Sequence, residues 1–326
     1  MERFGPVRIS VLVPTFRRTA YLRRCLAALQ AQERRPDEVL VVTRADDDET
    51  QALRGSEAFA PLTLRWLVMT EPGTVAAENA ALEAASGDIL AFTDDDAAPR
   101  ADWLRRIEAH FLADPSLGGV GGRDWMHVGD RLVTGSRQVV NRVQWFGRII
   151  GYNHLGVGAP REVDVLKGVN MSFRRQAIGP IRFDRRLRGN GAQHHLDHSF
   201  AMAVKRSGWK LLYDPEIAVE HHLAPTFDED RREEFNAGAL RNRVHNETLG
   251  MLDHLPPLRR AVFLGYSVLV GTWAAPGLVQ WPRMKVRRRE PAGERLKASL
   301  QGRVDGWRTW RRENSNGELS LRRGQS

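Results

Sequence analysis

The sequence contains very little cysteine: Cys25 is the only one among its 326 residues. A single thiol excludes an intrachain disulfide and a metal site built from several cysteines, and it suits a reducing compartment. The first residues lack the basic start and apolar core of a signal peptide, so we expect none. A hydrophobic content of 42% and a charged content of 27% are typical of a globular protein. We therefore expect a folded, cytoplasmic protein.

Long uncharged runs are scarce, and the notable one is 261–281, which has 21 residues without a charge. Its length would permit a membrane span, but Gly271 and Pro276 make it a poor one. A span, an interfacial hairpin and a buried helix all remain open for this segment. The net charge of +9 is concentrated after it, because 283–326 carries 13 Lys or Arg against five Asp or Glu.

An apolar stripe recurs at helical spacing within the basic C-terminal region. Its members are Leu296, Leu300, Val304, Trp307 and Trp310. Basic residues occupy much of the remaining helix surface, which is typical of a helix lying on an anionic membrane. The alternative is an ordinary basic helix packed on the protein. The sequence thus predicts contact with an anionic membrane surface through 261–312.

Three adjacent carboxylates follow a short apolar run, and the rest of the chain is organised around them. Residues 89–92 read Ile-Leu-Ala-Phe, and Asp94, Asp95 and Asp96 follow after one threonine. The run predicts a buried strand, and open α/β sheets bind ligands outside the carboxyl ends of their strands. Alternation along an extended strand would turn Asp94 and Asp96 to one side, where they could hold a divalent cation and a phosphate. The alternative is a solvated acidic turn before the next helix.

Strand patterns alternate with helix patterns through the first third of the chain. The predicted strands are 7–15, 38–43, 62–69 and the run before the acids; the predicted helices are 21–32, 73–85 and 100–113. This alternation predicts an α/β fold, with a mostly parallel sheet flanked by helices. Glycine-rich loops follow over 118–165, and the pattern becomes helical after 229. We expect an α/β domain over 1–228, a helical extension over 229–312 and a disordered tail over 313–326.

Six motifs in a fixed order carry a family resemblance. They are VPTF at 13–16, EVLVV at 38–42, ASGD at 85–88, ILAFTDDD at 89–96, GVNMSFRR at 168–175 and GWKLLYDP at 208–215. Together they resemble the family 2 glycosyltransferases, which have the GT-A fold, over about residues 7–225. The resemblance implies a hexosyltransferase-like enzyme that moves a sugar, with inversion, from a nucleotide-diphosphate sugar to an acceptor hydroxyl. It also implies Mg²⁺ or Mn²⁺ on the diphosphate.

The resemblance also implies which residues bind the donor. Pro14 and Thr15 match the nucleotide-binding edge at the end of the first strand. Asp94 and Asp95 match the acids that contact the ribose and the sugar, and Asp96 matches the acid that contacts the metal. A metal in this place would neutralise the diphosphate and stabilise it as a leaving group.

Further positions match the acceptor side and the chemistry. Gly168 and Asn170 match a loop beside the donor sugar and the acceptor. The family's general base lies about eleven residues before the glycine of a glycine–aromatic turn, and counting back from Gly208 gives Asp197. A helix-capping role is the alternative for Asp197. His221 falls where many relatives place a histidine that binds the metal or contacts the phosphates; a structural histidine is the alternative.

Three departures from the family pattern affect the donor more than the reaction. The second strand ends in Thr43 and Arg44 where relatives usually have acids that recognise the base. Glu78 precedes Asn79 where relatives usually have an arginine, and Leu196 replaces an acid before the predicted base. The nucleobase therefore stays open.

Three classes of function are compatible with these observations. The leading hypothesis is a glycosyltransferase at the cytoplasmic face of the cell membrane, acting on a glycan or lipid-linked acceptor in cell-surface polysaccharide or glycolipid synthesis. A sugar nucleotidyltransferase is the second, but it usually needs a glycine-rich loop after the first strand, and 16–19 contains no glycine. A non-catalytic protein that binds an anionic surface, either nucleic acid or lipid, is the third. We expect no nucleic-acid binding, because the tail's apolar residues form one stripe instead of interleaving for base stacking.

Overall fold

The computed structural model describes residues 7–227, 234–287 and 291–323, with side chains up to Glu313. The chain divides into two compact units. The first unit comprises Met1–Arg142, Ile149–Phe183 and Phe200–Pro225. The second comprises Val143–Arg148, Asp184–Ser199 and Thr226–Ser326. The sequence-based boundary between 228 and 229 lies within a segment that the structure does not describe, and that domain division stays a prediction.

Twelve strands and ten helices are assigned among the described residues. The strands are β1 Ile9–Pro14, β2 Glu38–Arg44, β3 Leu64–Met69, β4 Ile89–Phe92, β5 Ala97–Pro99, β6 Leu117–Val128, β7 Arg131–Leu132, β8 Arg142–Val143, β9 Ile149–Ile150, β10 Arg161–Glu162, β11 Met171–Arg174 and β12 Lys210–His222. The helices are α1 Thr19–Gln30, α2 Asp48–Gln51, α3 Thr74–Ala84, α4 Trp103–Ala113, α5 Arg175–Ile178, α6 Leu196–Arg206, α7 Ala237–His254, α8 Pro257–Leu269, α9 Gln280–Val286 and α10 Ala292–Arg323.

A ten-stranded sheet forms the centre of the first unit. Its main order is β10-β12-β6-β11-β4-β1-β2-β3, with β5 on β12 and β7 on β6. The neighbours β4-β1-β2-β3 are parallel, whereas β11 is antiparallel to β4 and β6. Apolar residues on both faces of β1, β2 and β4 are buried, as expected for parallel strands covered by helices on either side. The predicted α/β architecture is confirmed, with the four predicted strands at its parallel edge.

Strand β12 contains an irregularity that sets which side chains it presents. Asp214 pairs with Gly122 of β6, but the next pair is Ala218 with Arg123, so residues 215–217 are extra on β12. The carbonyl oxygen of Ile217 approaches Gly122 so closely that an added Cβ would lie 1.7 Å from it. Only glycine fits there. The three extra residues reverse the alternation of β12 and bring His221 opposite Met126.

Helices α7 and α10 pack closely in the second unit because α10 has small residues at the contact. An added Cβ at Gly302 or Gly306 would meet the backbone oxygen of Arg241 at 2.6 Å or that of His245 at 2.7 Å. Of the stripe that the sequence analysis singled out, Val304 keeps 44% of its surface exposed, and the other four members are partly buried. The sequence analysis predicted a disordered tail from residue 313 onward. In the structure, helix α10 continues to Arg323.

The uncharged segment 261–281 does not form one continuous helix. Helix α8 ends at Leu269, and Gly271 then adopts a left-handed backbone with φ of 68° before α9 begins at Gln280. Glycine adopts this conformation without the steric cost that a side chain would add. Across the described ranges, no helix combines the length and the apolar character needed to cross a membrane.

Candidate functional site

The three acids lie directly after β4, at the carboxyl end of the parallel strands. Strand β4 pairs with β1, so that Phe92 lies beside Leu12 and the acids follow next to the end of β1. Asp95 and Asp96 are buried and Asp94 is partly buried. The backbone oxygen of Asp96 accepts a hydrogen bond from the amide of His222 at 2.9 Å, which fastens the acids to the end of β12.

Asp95 faces a different set of partners from its two neighbours. The Thr15 hydroxyl donates to Asp95 Oδ2 at 2.8 Å, and Arg18 donates to Asp95 Oδ1 at 3.0 Å. Arg18 also lies 3.8 Å from Asp96 Oδ2, so one guanidinium serves two carboxylates. The middle acid is therefore held by residues of the first strand end and of the segment before α1.

His221 connects Asp96 to a second buried acid, Asp124 of β6. Its Nε2 lies 3.3 Å from Asp96 Oδ1, and its Nδ1 lies 3.3 Å from Asp124 Oδ2. Asp124 also accepts from Lys167 Nζ at 2.9 Å and from the side-chain amide of Asn153. A histidine fixed through one ring nitrogen by a carboxylate presents its other nitrogen in a defined direction, as in metal sites with a supporting carboxylate.

Burial and neighbouring charges separate the pKa values of these groups. Burial and repulsion from Asp96 raise the pKa of Asp94 to about 6. Burial also raises the pKa of Asp95 to about 7, although the positive charge of Arg18 acts to lower it. Burial alone would raise the pKa of Asp96. The contact with His221 and the hydrogen bond from the Ala224 amide outweigh burial and lower this pKa to about 2. The pKa of His221 rises to about 9 because Asp124 and Asp96 outweigh its burial.

The donor set fits a divalent cation. Asp94, Asp96 and His221 each offer one ligand atom, and these atoms lie within 4.8 Å of one another. Asp96 Oδ1 is buried and makes no hydrogen bond to a described residue, although the His221 ring lies 3.3 Å from it. Two carboxylate oxygens and one imidazole nitrogen suit Mn²⁺ or Mg²⁺, with the remaining positions left for phosphate oxygens or water. The sequence predicted Asp96 and His221 as metal ligands; the structure groups their side chains with that of Asp94, and the ligand role stays a prediction.

The other predicted donor residues differ in how far their side chains are engaged. Pro14 ends β1, and Thr15 is committed to Asp95. Gly168 begins a short 3₁₀ turn that contains Asn170, which is almost fully buried. Asn170 donates to the Ile217 oxygen at 2.8 Å and accepts from the Trp103 indole at 2.9 Å. Its side chain therefore supports the backbone here, and the roles predicted for these residues stay predictions.

Asp197 lies in the first turn of α6, in the part of that helix that belongs to the second unit. Its Oδ1 accepts a hydrogen bond from the amide of His198 at 2.8 Å, and its side chain keeps partial exposure. This position is compatible with a helix-terminus role and with a general base. Its predicted role as the base stays a prediction.

Sequence reasoning missed Arg18, Asp124 and Lys167. Arg18 and Lys167 stand next to recognised motifs, at the VPTF and GVNMSFRR segments, and a search for cations beside the acids could have found them. Asp124 lies in a glycine-rich stretch, far in sequence from His221, and joins the site only through the pairing of β6 with β12. No local signal marks it.

Replacing Asp124 with asparagine is expected to weaken Mn²⁺ binding by about 10- to 100-fold, because His221 loses the carboxylate that orients it. The measurement is a Mn²⁺ titration followed by electron paramagnetic resonance. Asp214→Asn is the matched control, since Asp214 is also buried and pairs with a histidine, His110 at 2.8 Å, outside the acidic group. Equal Mn²⁺ affinity of Asp124→Asn and wild type would contradict the role of Asp124.

Comparison with known proteins places these features in one family. Residues 10–179 match the family described as Glycosyl transferase family 2. Glycosyltransferase AglE from Haloferax volcanii is 26% identical over 273 residues, which is 82% of either chain. The glucosyl-dolichyl phosphate glucuronosyltransferase of the same organism is 22% identical over 227 residues, or 67% of this chain and 70% of that one.

Solved structures share the fold. The mannosyltransferase PcManGT from Pyrobaculum calidifontis, in complex with GDP-Man and Mn²⁺, has a TM-score of 0.56 at 18% identity and covers 94% of this chain and 87% of that one. S. aureus TarS 1–349, in complex with UDP-GlcNAc, has a TM-score of 0.57 at 17% identity and covers 95% and 92%. The predicted GT-A fold and the predicted resemblance are both confirmed.

Proposed function

The chain belongs to glycosyl transferase family 2, and from this membership we propose that it moves a sugar, with inversion, from a nucleoside-diphosphate sugar to an acceptor hydroxyl. The observation that carries the proposal is the group formed by Asp94, Asp96 and His221 at the ends of β4 and β12. A divalent cation bound there would supply positive charge to the diphosphate as it leaves. Of the three classes of function compatible with the sequence, the family match supports this one.

The reaction that we propose needs one base and one leaving group. The acceptor oxygen forms a bond to the anomeric carbon from the side opposite the diphosphate, and the bond between that carbon and the phosphate oxygen breaks. The nucleoside diphosphate leaves with the electron pair. Asp197 takes the proton from the acceptor hydroxyl, in the role that the family motif implies. One displacement inverts the anomeric configuration.

Several described side chains prepare the donor site for this reaction. Asp94, Asp96 and His221 would hold the cation, and Asp124 orients His221. Arg18 lies between Asp95 and Asp96 and limits the repulsion among the acids. Because the pKa of Asp96 is held near 2, this acid is ionised at neutral pH and available as a metal ligand.

For the acceptor we propose a lipid-linked glycan, used at the cytoplasmic face of the cell membrane. The support comes from the relative named glucosyl-dolichyl phosphate glucuronosyltransferase, because that name contains a lipid-linked sugar. The basic C-terminal region of this chain gives independent support for work near anionic lipids.

The test is a panel of UDP-, GDP- and dTDP-sugars, each measured by thermal unfolding with Mn²⁺ and with EDTA. We expect one donor to raise the unfolding midpoint only with metal, since a donor at about 100 times its Kd stabilises by about 3 kcal/mol. The free nucleoside diphosphates are the controls that separate recognition of the sugar from recognition of the nucleotide. Absence of any metal-dependent shift, together with no release of nucleoside diphosphate from any donor, would contradict the proposal.

A further inference from the structure

Four aliphatic side chains are exposed close together at the end of α8 and along α9. The exposed fractions are 56% for Leu269, 48% for Leu278, 43% for Val279 and 83% for Val286. We call the surface formed by 268–287 the α8–α9 edge. All of its residues belong to the second unit. Soluble proteins seldom leave so many large aliphatic side chains exposed on one short segment without a partner.

Backbone hydrogen bonds bring these side chains into one surface. The amide of Leu278 donates to the oxygen of Val268 at 3.0 Å, and that of Val279 donates to the oxygen of Leu269 at 2.8 Å. The end of α8 and the start of α9 are therefore adjacent. The four aliphatic residues do not depend on distant parts of the chain for their proximity.

Helix α9 packs one side on the protein and exposes the other, which carries two valines, a proline and an arginine. Val279, Pro282, Arg283 and Val286 recur at intervals of three, four and seven residues and are all exposed. Such spacing places them on one helix face. Gln280 and Met284 lie on the other face and are buried. The helix already has a packed face, so the exposed one is free for a partner.

The charged residues of the α8–α9 edge itself, Arg283, Lys285 and Arg287, are all basic. Lys285 lies 4.2 Å from the ring centre of Trp281, and Arg287 lies 5.1 Å from that of Trp273. The sequence from 254 to 289 contains seven Lys or Arg and no Asp or Glu. Aliphatic residues, tryptophans and cations in one segment are the composition that binds the interface of an anionic bilayer.

We propose that the α8–α9 edge docks on the surface of an anionic lipid bilayer, with Val279 and Val286 entering the headgroup region and the cations contacting lipid phosphates. The choice of a membrane rests on the lipid-linked acceptor of the proposed function. A second copy of the chain is a poorer occupant, because two such cationic faces would repel each other. Helix α10, whose stripe the sequence favoured as the membrane face, serves as the control; Val304 is the exposed member of that stripe, and the other four members are partly buried.

The test is co-sedimentation of the full chain with phosphatidylcholine vesicles, with and without phosphatidylglycerol. We expect binding only to the anionic vesicles. The double variant Val279→Asp with Val286→Asp should reduce it at least about tenfold, because two acids replace two inserted apolar groups. Arg283→Glu with Lys285→Glu should reduce it by a similar factor, since each basic residue near an anionic surface adds to binding. High salt should weaken binding of the wild type.

The matched controls lie on α10. Val304→Asp replaces another exposed valine, and Lys297→Glu with Arg308→Glu replaces two exposed cations. Binding that these controls leave unchanged, while the α9 variants lose it, supports the proposal. Absence of wild-type binding to anionic vesicles, or loss only in the α10 variants, overturns it. Stronger binding to a nucleic acid than to vesicles at equal salt also overturns it. Donor-induced thermal shifts of each variant show independently whether the proposed function holds.

Discussion

Asp96→Asn is expected to abolish metal-dependent donor binding and to lower sugar transfer by about 1,000-fold or more, the equivalent of about 4 kcal/mol. The pKa of Asp96 is lowered to about 2, so among the three acids this one is the most fully ionised at neutral pH. It also contacts His221 at 3.3 Å, and its loss removes one ligand and releases another. Measuring nucleoside diphosphate release and Mn²⁺ affinity in the same variant separates failure of binding from failure of chemistry.

Asp114→Asn is the control for Asp96→Asn, because Asp114 is an acid that follows α4 and takes no part in the group of ligands. It should retain wild-type turnover and Mn²⁺ affinity. Should Asp96→Asn keep wild-type metal dependence while folded, the assignment of the cation to these residues would be wrong.

Asp197→Asn is expected to leave the metal-dependent thermal shift with donor unchanged and to lower kcat by about 100- to 10,000-fold, the range for loss of a general base. Asparagine keeps an oxygen that can accept the hydrogen bond from the His198 amide, so the start of α6 should stay intact. Both variants should lose rate, but only Asp96→Asn should also lose metal-dependent donor binding. This difference would distinguish a metal ligand from a base.

A helix-terminus role for Asp197 makes a different prediction. Serine can also accept a backbone hydrogen bond at a helix start but cannot act as a base of comparable strength. Under the structural alternative, Asp197→Ser and Asp197→Asn would both retain most of the rate, and only Asp197→Ala would lose stability. Near-wild-type kcat in the asparagine variant would therefore end the assignment of Asp197 as the base.

The sequence predicted the parts of the site that depend on local order. The apolar run before Asp94 specifies a buried strand, and the alternation of strands and helices places its end beside that of β1. The family motifs added His221, which the structure brings within 3.3 Å of Asp96. These relations follow from strand polarity, which a sequence reveals.

The parts that were missed depend on pairing between distant strands. Asp124 reaches His221 because β6 is parallel to β12, and the register of that pairing depends on extra residues that no local pattern announces. The face of α10 that packs on α7 was missed for a related reason. Periodicity identified the stripe of α10, but small residues such as Gly302 decided which face packs.

The three extra residues of β12, 215–217, also affect what the loss of one residue from this strand would do to the site. A deletion within 215–217 has two outcomes. A shortened bulge keeps the register and leaves His221 opposite Met126, whereas a bulge of unchanged length advances the strand by one position and brings His222 there. In either case an imidazole remains beside the acids. Because His221 and His222 are adjacent, we expect either register to place a histidine at this position of β12. A deletion of one residue within 215–217 is therefore expected to leave the site with a nitrogen ligand.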